Sequence, residues 1–157
     1  NTGGTGITVV PGGTSRVTEF SADFGANNGG FAYADINQPA NVNLNGTRNT
    51  GDGDAANGSL QIYADSTGGA YSTAYGTWSQ TFTFSQDLAN AEISFSYRHV
   101  HDADTENGED SSVFYFLDGA YTEVNREAGQ NGGGNGVDTG WVTRTVSLGD
   151  VTAGPDP

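Results

Sequence analysis

Cysteine and methionine are both absent from this chain of 157 residues. Without cysteine no disulfide can staple the fold, and the redox compartment leaves no mark on the sequence. Proline is sparse at 4 residues, and the 25 glycines show no collagen-like period, so they belong to turns and loops. Basic residues number 5 against 19 acidic ones, a formal net charge of -14. That balance argues against nucleic acid as a partner and against an anionic membrane surface. No apolar run reaches the length of a membrane-spanning helix. No stretch of helical length carries an apolar stripe of 3.6-residue period. Nucleophile elbow, phosphate loop and zinc-protease helix are all missing. So are an initiating methionine and a signal peptide, which makes a mature or excised segment the expectation.

What is present is aromatic and acidic. The chain carries 8 Phe, 7 Tyr and 2 Trp, enough bulk for one core in a single domain over residues 1–157. The clearest pattern opens at Ala91, where Ala91, Ile93, Phe95 and Tyr97 alternate with Glu92, Ser94, Ser96 and Arg98. Period two marks a half-buried strand. An acidic loop, His101 to Ser112, follows it. A second strand, Val113 to Leu117, then closes on the turn dipeptide Asp118-Gly119. Further strands are predicted at Ile7–Val10, Arg16–Phe24, Phe31–Ile36, Ser59–Ala64, Trp78–Phe84, Tyr121–Arg126 and Trp141–Leu148, with turns at Asn27–Gly30 and Ser66–Gly69. In Trp78–Phe84 the inward set is Gln80, Phe82 and Phe84. The polar stretch Asn37–Asn57 reads as a long loop, and Gly129–Gly136 as a flexible one. About eight short strands separated by turn signals predict an all-β, antiparallel β-sandwich of jelly-roll type.

Two loops carry oxygen donors in patterns that suit a hard cation. Asp102, Asp104, Glu106, Glu109 and Asp110 place carboxylates at close spacing around Gly108. The opening resembles an EF-hand loop, but Gly108 is one position late, so the match is to a general oxygen cage. Asp52, Asp54 and Asn57, with Asn49, form the second pattern, Asp-Gly-Asp flanked by Asn. Calcium is the cofactor these residues predict, and a strongly negative chain gains from binding it. The competing reading is a solvated loop of Asx turns. His99 and His101, with Glu106, match part of the first metal motif of cupins, but the chain holds only 2 His and the second motif is missing.

The aromatic set Trp78, Tyr71, Tyr75, Tyr121 and Trp141, with Tyr115, is the candidate for glycan binding. Flat rings stack on the apolar faces of sugars, although any one ring also serves core packing. Paired carboxylates across an apolar cleft, the mark of a glycoside hydrolase, are not visible, so no enzyme activity is expected.

The stretches ISFSYR, VFYFLDG and GNGVDTGWVTRTVSLGDVTAG, spaced by the acidic loop, resemble a β-sandwich domain of bacterial RTX-type surface and secreted adhesin proteins. That domain is similar in fold to jelly-roll and concanavalin-like carbohydrate-binding modules. The resemblance runs from Trp78 to Gly154. It implies adhesion and a glycan or cell-surface partner, while the acidic charge and the lack of cysteine suit an extracellular or cell-surface location. In the domains it resembles, the trailing L…AG turn leads into a further long strand, whereas here Ala153 is followed by Gly-Pro-Asp-Pro157. A sandwich without that closing strand has an open edge. The alternative function follows from it: residues 1–10 as an extended arm that pairs with another copy of the chain, building an extracellular filament by strand exchange.

Overall fold

A computed structural model describes residues 8–10, 18–54, 57–66, 73–102, 110–117, 119–128 and 136–155. Among them the regular structure is almost entirely β, with no α-helix. In chain order the strands are β1 (Thr8–Val10), β2 (Phe20–Ser21), β3 (Ala32–Asn37), β4 (Val42–Asn49), β5 (Ser59–Ser66), β6 (Tyr75–Ser79), β7 (Thr83–Phe84) and β8 (Leu88–Tyr97). Then come β9 (Val100–His101), β10 (Ser111–Leu117), β11 (Ala120–Glu127), β12 (Val137–Asp138), β13 (Val142–Val151) and β14 (Gly154–Pro155). Their pairings are antiparallel. The chain divides into two compact units: one built from the residues up to Ser96 and from Thr143 on, the other from Tyr97–Val142.

The first unit holds a four-stranded sheet in the order β13-β8-β1-β2 and the pairs β3-β6, β4-β5 and β7-β14. Its core forms where β8 begins. Leu88 and Ala91 are buried with Phe84, and Phe82, Ile93, Leu148 and Val151 close around them. Full burial of a side chain such as Leu88 is worth about 1.5–3 kcal/mol. Beside it Phe20, Phe31 and Phe82 meet edge to face, with centroids 4.8–6.4 Å apart. Ser94 and Ser96 on β8 bond across to Thr145 and Thr143 on β13, so the alternation that starts at Ala91 continues as a polar ladder.

Several expectations are corrected. Residues 37–57 are not one loop, because Val42–Asn49 pairs along its whole length with Ser59–Ser66. Only Val42 and Leu44 of β4 are buried, so a backbone ladder rather than an apolar stripe makes this strand. The strand expected from Trp78 starts earlier, at Tyr75, and breaks at residues 80–82 before β7. There Phe82 joins the phenylalanine cluster. Of Arg16–Phe24 only Phe20–Ser21 pairs, with residues 16–17 outside the described residues. The last described residues, Gly154 and Pro155, pair with Phe84 and Thr83. β1 lies between β2 and β8 of its own chain, with Val9 opposite both Phe20 and Ile93. The turn at Asn27–Gly30 is as expected, closed by Phe31 N–H on Asn28 O. Ser66 ends β5, and the rest of the turn expected at Ser66–Gly69, with most of the loop at 129–136, falls outside the described residues.

Two contacts fix how the loops meet the strands. The Tyr33 ring lies directly on Gly46, where an added Cβ would come within 2.1 Å of it. Arg48 Nη1 donates to the carbonyls of Phe24 and Gly25 at 3.0 and 2.9 Å. Those bonds hold Phe24 at a φ of 56°, a conformation that side chains rarely adopt. Gly46→Ala is therefore expected to cost about 1–3 kcal/mol through overpacking. Arg48→Met keeps the stem, loses both bonds, and is expected to cost about 1.5–3 kcal/mol. Thermal unfolding measures both, and an unchanged midpoint in Gly46→Ala would contradict the placement of the ring.

Candidate ligand-binding face

The second unit is built from the β10-β11 hairpin and the short β9-β12 ladder. Gly119 at φ 78° supplies the left-handed turn residue that lets Leu117 pair with Ala120 across a two-residue connection. A register shift between Val113 and Phe114 shows a bulge, which raises the local twist. Alternation then gives the hairpin two chemically different faces.

The inner face carries Ser111, Asn125 and Glu127, which close over two buried imidazoles. His99 and His101 are each 6% exposed. Asn125 Nδ2 donates to Glu127 Oε1 at 3.0 Å and stands 2.9 Å from His99 Nδ1. A carboxylate accepts only, so that atom is the amide nitrogen and His99 Nδ1 is an acceptor. His99 then carries its proton on Nε2 and donates to Ser111 Oγ at 2.8 Å. The Ser111 hydroxyl donates onward to His101 Nδ1 at 3.1 Å. His101 Nε2 is enclosed and has no partner among the described residues. A serine between imidazoles has the parts of a nucleophile and its base. Among the described residues no acidic group bonds to the second imidazole.

Around this network the backbone is tied down. His99 N–H donates to Thr139 Oγ1, and Thr139 N–H returns a bond to His99 O. Arg98 grips Asp138 with two parallel bonds of 2.9 and 2.6 Å. These bonds, with Gly140 N–H on Asp138 Oδ1, bring the Asp138 carboxyl down to about 2. His99 is pushed below its ordinary value, first by burial and next by His101, while Glu127 opposes the shift.

The outer face is different. Phe114, Phe116 and Tyr121 are 52%, 53% and 60% exposed. Phe116 and Tyr121 are cross-strand partners with ring centroids 4.6 Å apart. Next along the face Glu123 pairs with Phe114 and accepts a 2.5 Å hydrogen bond from Ser112 Oγ. Asp110 and Arg126 form an exposed ion pair at the far end. The face thus runs from bare rings to fixed polar groups.

The residues picked out in the sequence are scattered over this frame. Of the glycan candidates, Tyr121 sits on the outer face beside Phe116. Trp78 lies in the first unit, against Tyr33, and donates its indole N–H to Gln61 O, so it serves packing. Tyr75, on β6, is 47% exposed, Trp141 and Tyr115 are half-buried, and Tyr71 lies outside the described residues. Among the calcium candidates, Asp104, Glu106 and Glu109 lie outside them too. Asp54 Oδ2 accepts from Ser96 Oγ at 3.0 Å, and Asp110 is held by Arg126. Asp52 and Asp102 are exposed, while the N–H of half-buried Asn57 bonds to Asp54 O. No cluster of three His, Cys, Asp or Glu able to hold a metal occurs among the described residues. Sequence reasoning missed Phe114 and Phe116, although strict alternation through Val113-Phe-Tyr-Phe-Leu117 separates those two rings from their neighbours. Set beside family models, curated proteins and solved structures, the chain matches none.

The buried network predicts a pH response. The folded state depresses the His99 value, so it favours the neutral ring. The resulting contribution is complete above the ordinary histidine value of about 6.5 and is lost as pH falls through the lower folded value. The stability difference between wild type and His99→Gln should narrow as pH falls from about 7 to about 5. Urea unfolding of both proteins across that range measures it, and a constant difference would show that the imidazole is not held neutral.

Proposed function

We propose that this chain is a non-catalytic, extracellular β-sandwich module that binds a neutral glycan through the outer face of β10-β11. The observation that carries the reading is the exposed pair Phe116 and Tyr121, in one row with Phe114 and the fixed Glu123 carboxylate. Exposed rings that touch each other bury little of their surface in the fold, and a contiguous apolar patch beside polar groups marks an interaction site. Sugars present apolar C–H faces to such rings and hydroxyl groups to a carboxylate. The net charge of -14 repels sulfated or uronic polymers, which favours a neutral chain.

A binding role also suits the carboxylates. Glu123 is tied to Ser112 and Asp110 to Arg126, so neither is an isolated acid in an apolar wall of the kind that catalysis needs. Calcium is the cofactor of this reading, held by the acidic loop that joins β9 to β10, and a surface or secreted setting supplies it. Filament growth by strand exchange draws no support from β1, whose departure would break its ladders with both β2 and β8.

Affinity electrophoresis in gels containing neutral polysaccharides tests the face. Retardation by at least one neutral polymer, lost in Phe116→Ala and in Tyr121→Ala but kept in Tyr75→Ala, is the expected result. Retardation only by sulfated polymers, or retention unaffected by both ring substitutions, would overturn it. Calcium is tested separately. An ion bound only by the folded state stabilises by about 2.7 kcal/mol at a hundred times its Kd. The melting temperature should therefore rise with added calcium and fall again with a chelator.

A further inference from the structure

The triplet Asn-x-Ser/Thr, the acceptor pattern for N-linked sugars, occurs twice in the chain, as Asn45-Gly46-Thr47 and as Asn57-Gly58-Ser59. Both triplets belong to the first unit. We propose that Asn45 is an N-glycosylation site, that Asn57 is not, and that the sugar on Asn45 shields the outer face of the β4-β5 ladder.

The fold separates the two triplets. Side chains along β4 alternate between its faces. Gly46 faces inward, since a Cβ there would run into the Tyr33 ring. Asn45 and Thr47, on either side of it, therefore face outward, and both are exposed. The register sets Tyr63 opposite Asn45 and Gln61 opposite Thr47. These two are exposed as well, Tyr63 to 55%. Asn57 has no such freedom. It is half-buried, and its N–H donates to Asp54 O. A Cβ added at Gly53 would collide with its carbonyl oxygen, and Gly58, next in the triplet, is buried against Phe24 O. A sugar on Asn57 would force this packed segment apart, whereas Asn45 carries one on an open face.

The reaction joins the Asn45 amide nitrogen to the anomeric carbon of a sugar carried as a diphosphate ester, the donor that a glycosyltransferase supplies. The N–C bond forms as the bond from the anomeric carbon to the phosphate oxygen breaks. The diphosphate leaves with the electron pair, and the nitrogen gives up one proton to a base of the transferase. Asn45 lies inside a ladder of eight paired positions, which an enzyme cannot bend without breaking its bonds. Transfer thus precedes the closing of β4 on β5, and the folded face has only to accommodate the product. Cross-strand neighbours hold their Cβ atoms about 4.5–5.5 Å apart, so the first sugar ring comes to rest beside the Tyr63 ring. β4 and β5 form a two-stranded sheet of their own, and such a sheet invites strands of other chains. A bulky, hydrated, neutral group on its face opposes that association. The inference does not depend on glycan binding at β10-β11, because this sugar is attached to the chain rather than bound by it.

Trypsin cuts this chain only at arginines, which place the two asparagines on different peptides, Asn45 in Val17–Arg48 and Asn57 in Asn49–Arg98. Mass spectrometry of a tryptic digest of the chain, purified from the organism that makes it, therefore reads each site separately. Val17–Arg48 is expected heavier by one or more hexose or N-acetylhexosamine residues, with Asn49–Arg98 at its unmodified mass. The added mass should vanish in Asn45→Gln and in Thr47→Ala and persist in Thr47→Ser, which keeps the triplet. The site assignment fails if Val17–Arg48 is found only at its unmodified mass, or if Asn49–Arg98 carries the sugar. It also fails if the added mass survives in Asn45→Gln, which would place the sugar on a hydroxyl group. Light scattering at rising concentration tests the shielding. The modified wild type should remain monomeric where Asn45→Gln associates, and equal association of the two would overturn that role.

Discussion

Antiparallel backbone pairing is the interaction on which the rest of this molecule depends. Among the described residues the buried apolar side chains are Ala22, Val42, Leu44, Phe84, Leu88 and Ala91, a small set for so long a chain. β4 and β5 pair over eight positions although only Val42 and Leu44 of them are buried. Satisfying backbone donors and acceptors in a ladder is obligatory once a segment leaves water, so pairing persists where the apolar stripe is thin. Aromatic edges then supply the bulk that aliphatic residues do not, in the Phe20–Phe31–Phe82 cluster and in Tyr33 against Trp78. Every functional feature inherits its position from this pairing, because the ladder decides which side chains share a face.

How much of this is legible in the sequence depends on how much of each strand is written in side chains. Ala91 to Tyr97 alternates cleanly and is a strand for that reason. Val113 to Leu117 with its Asp-Gly turn is equally plain, and the structure extends it by only two residues, to Ser111. β4 is hidden because Val42 and Leu44 are separated and followed by Asn, Gly, Thr, Arg and Asn, a composition shared with loops. Its partner β5 provides the missing information, and that partner is a tertiary fact. The His99 network is invisible for the same reason: Ser111, Asn125 and Glu127 come from two strands, and only the register of β10 on β11 brings them to one face. On the outer face residue type misleads, since Trp and Tyr suggest sugar stacking while two of the three exposed rings there are Phe.

Charge is arranged by the same economy. All 5 basic residues are arginines, in a chain with 19 acids. Arg98 engages Asp138 through two parallel bonds, Arg126 engages Asp110, and Arg48 spans two carbonyls. A planar guanidinium suits each of these tasks, whereas an ammonium group would make fewer directed bonds. With 19 acids against 5 arginines the chain carries one sign of net charge, which narrows the partners it can accept.

Polar atoms that folding leaves unpaired are the places where a ligand has most to offer, but they are not equivalent. Three enclosed side-chain atoms lack a hydrogen-bond partner among the described residues: Tyr33 OH, Gln80 Oε1 and His101 Nε2. Burial, with the nearby Asp35 carboxylate, pushes the Tyr33 phenol up to about 12, so it remains a neutral hydroxyl wedged against Gly46 and Gly76. No room for a ligand exists between a ring and a glycine already in contact with it. His101 Nε2 ends a chain of bonds whose other members are satisfied, and an added acceptor there would have to enter a closed interior. Gln80 alone belongs to the lining of a cleft. Its Oε1 is nonetheless as enclosed as the other two atoms, packed with the rest of the amide against Gly30, so residue-level lining of a cleft does not by itself put a polar atom within reach of solvent.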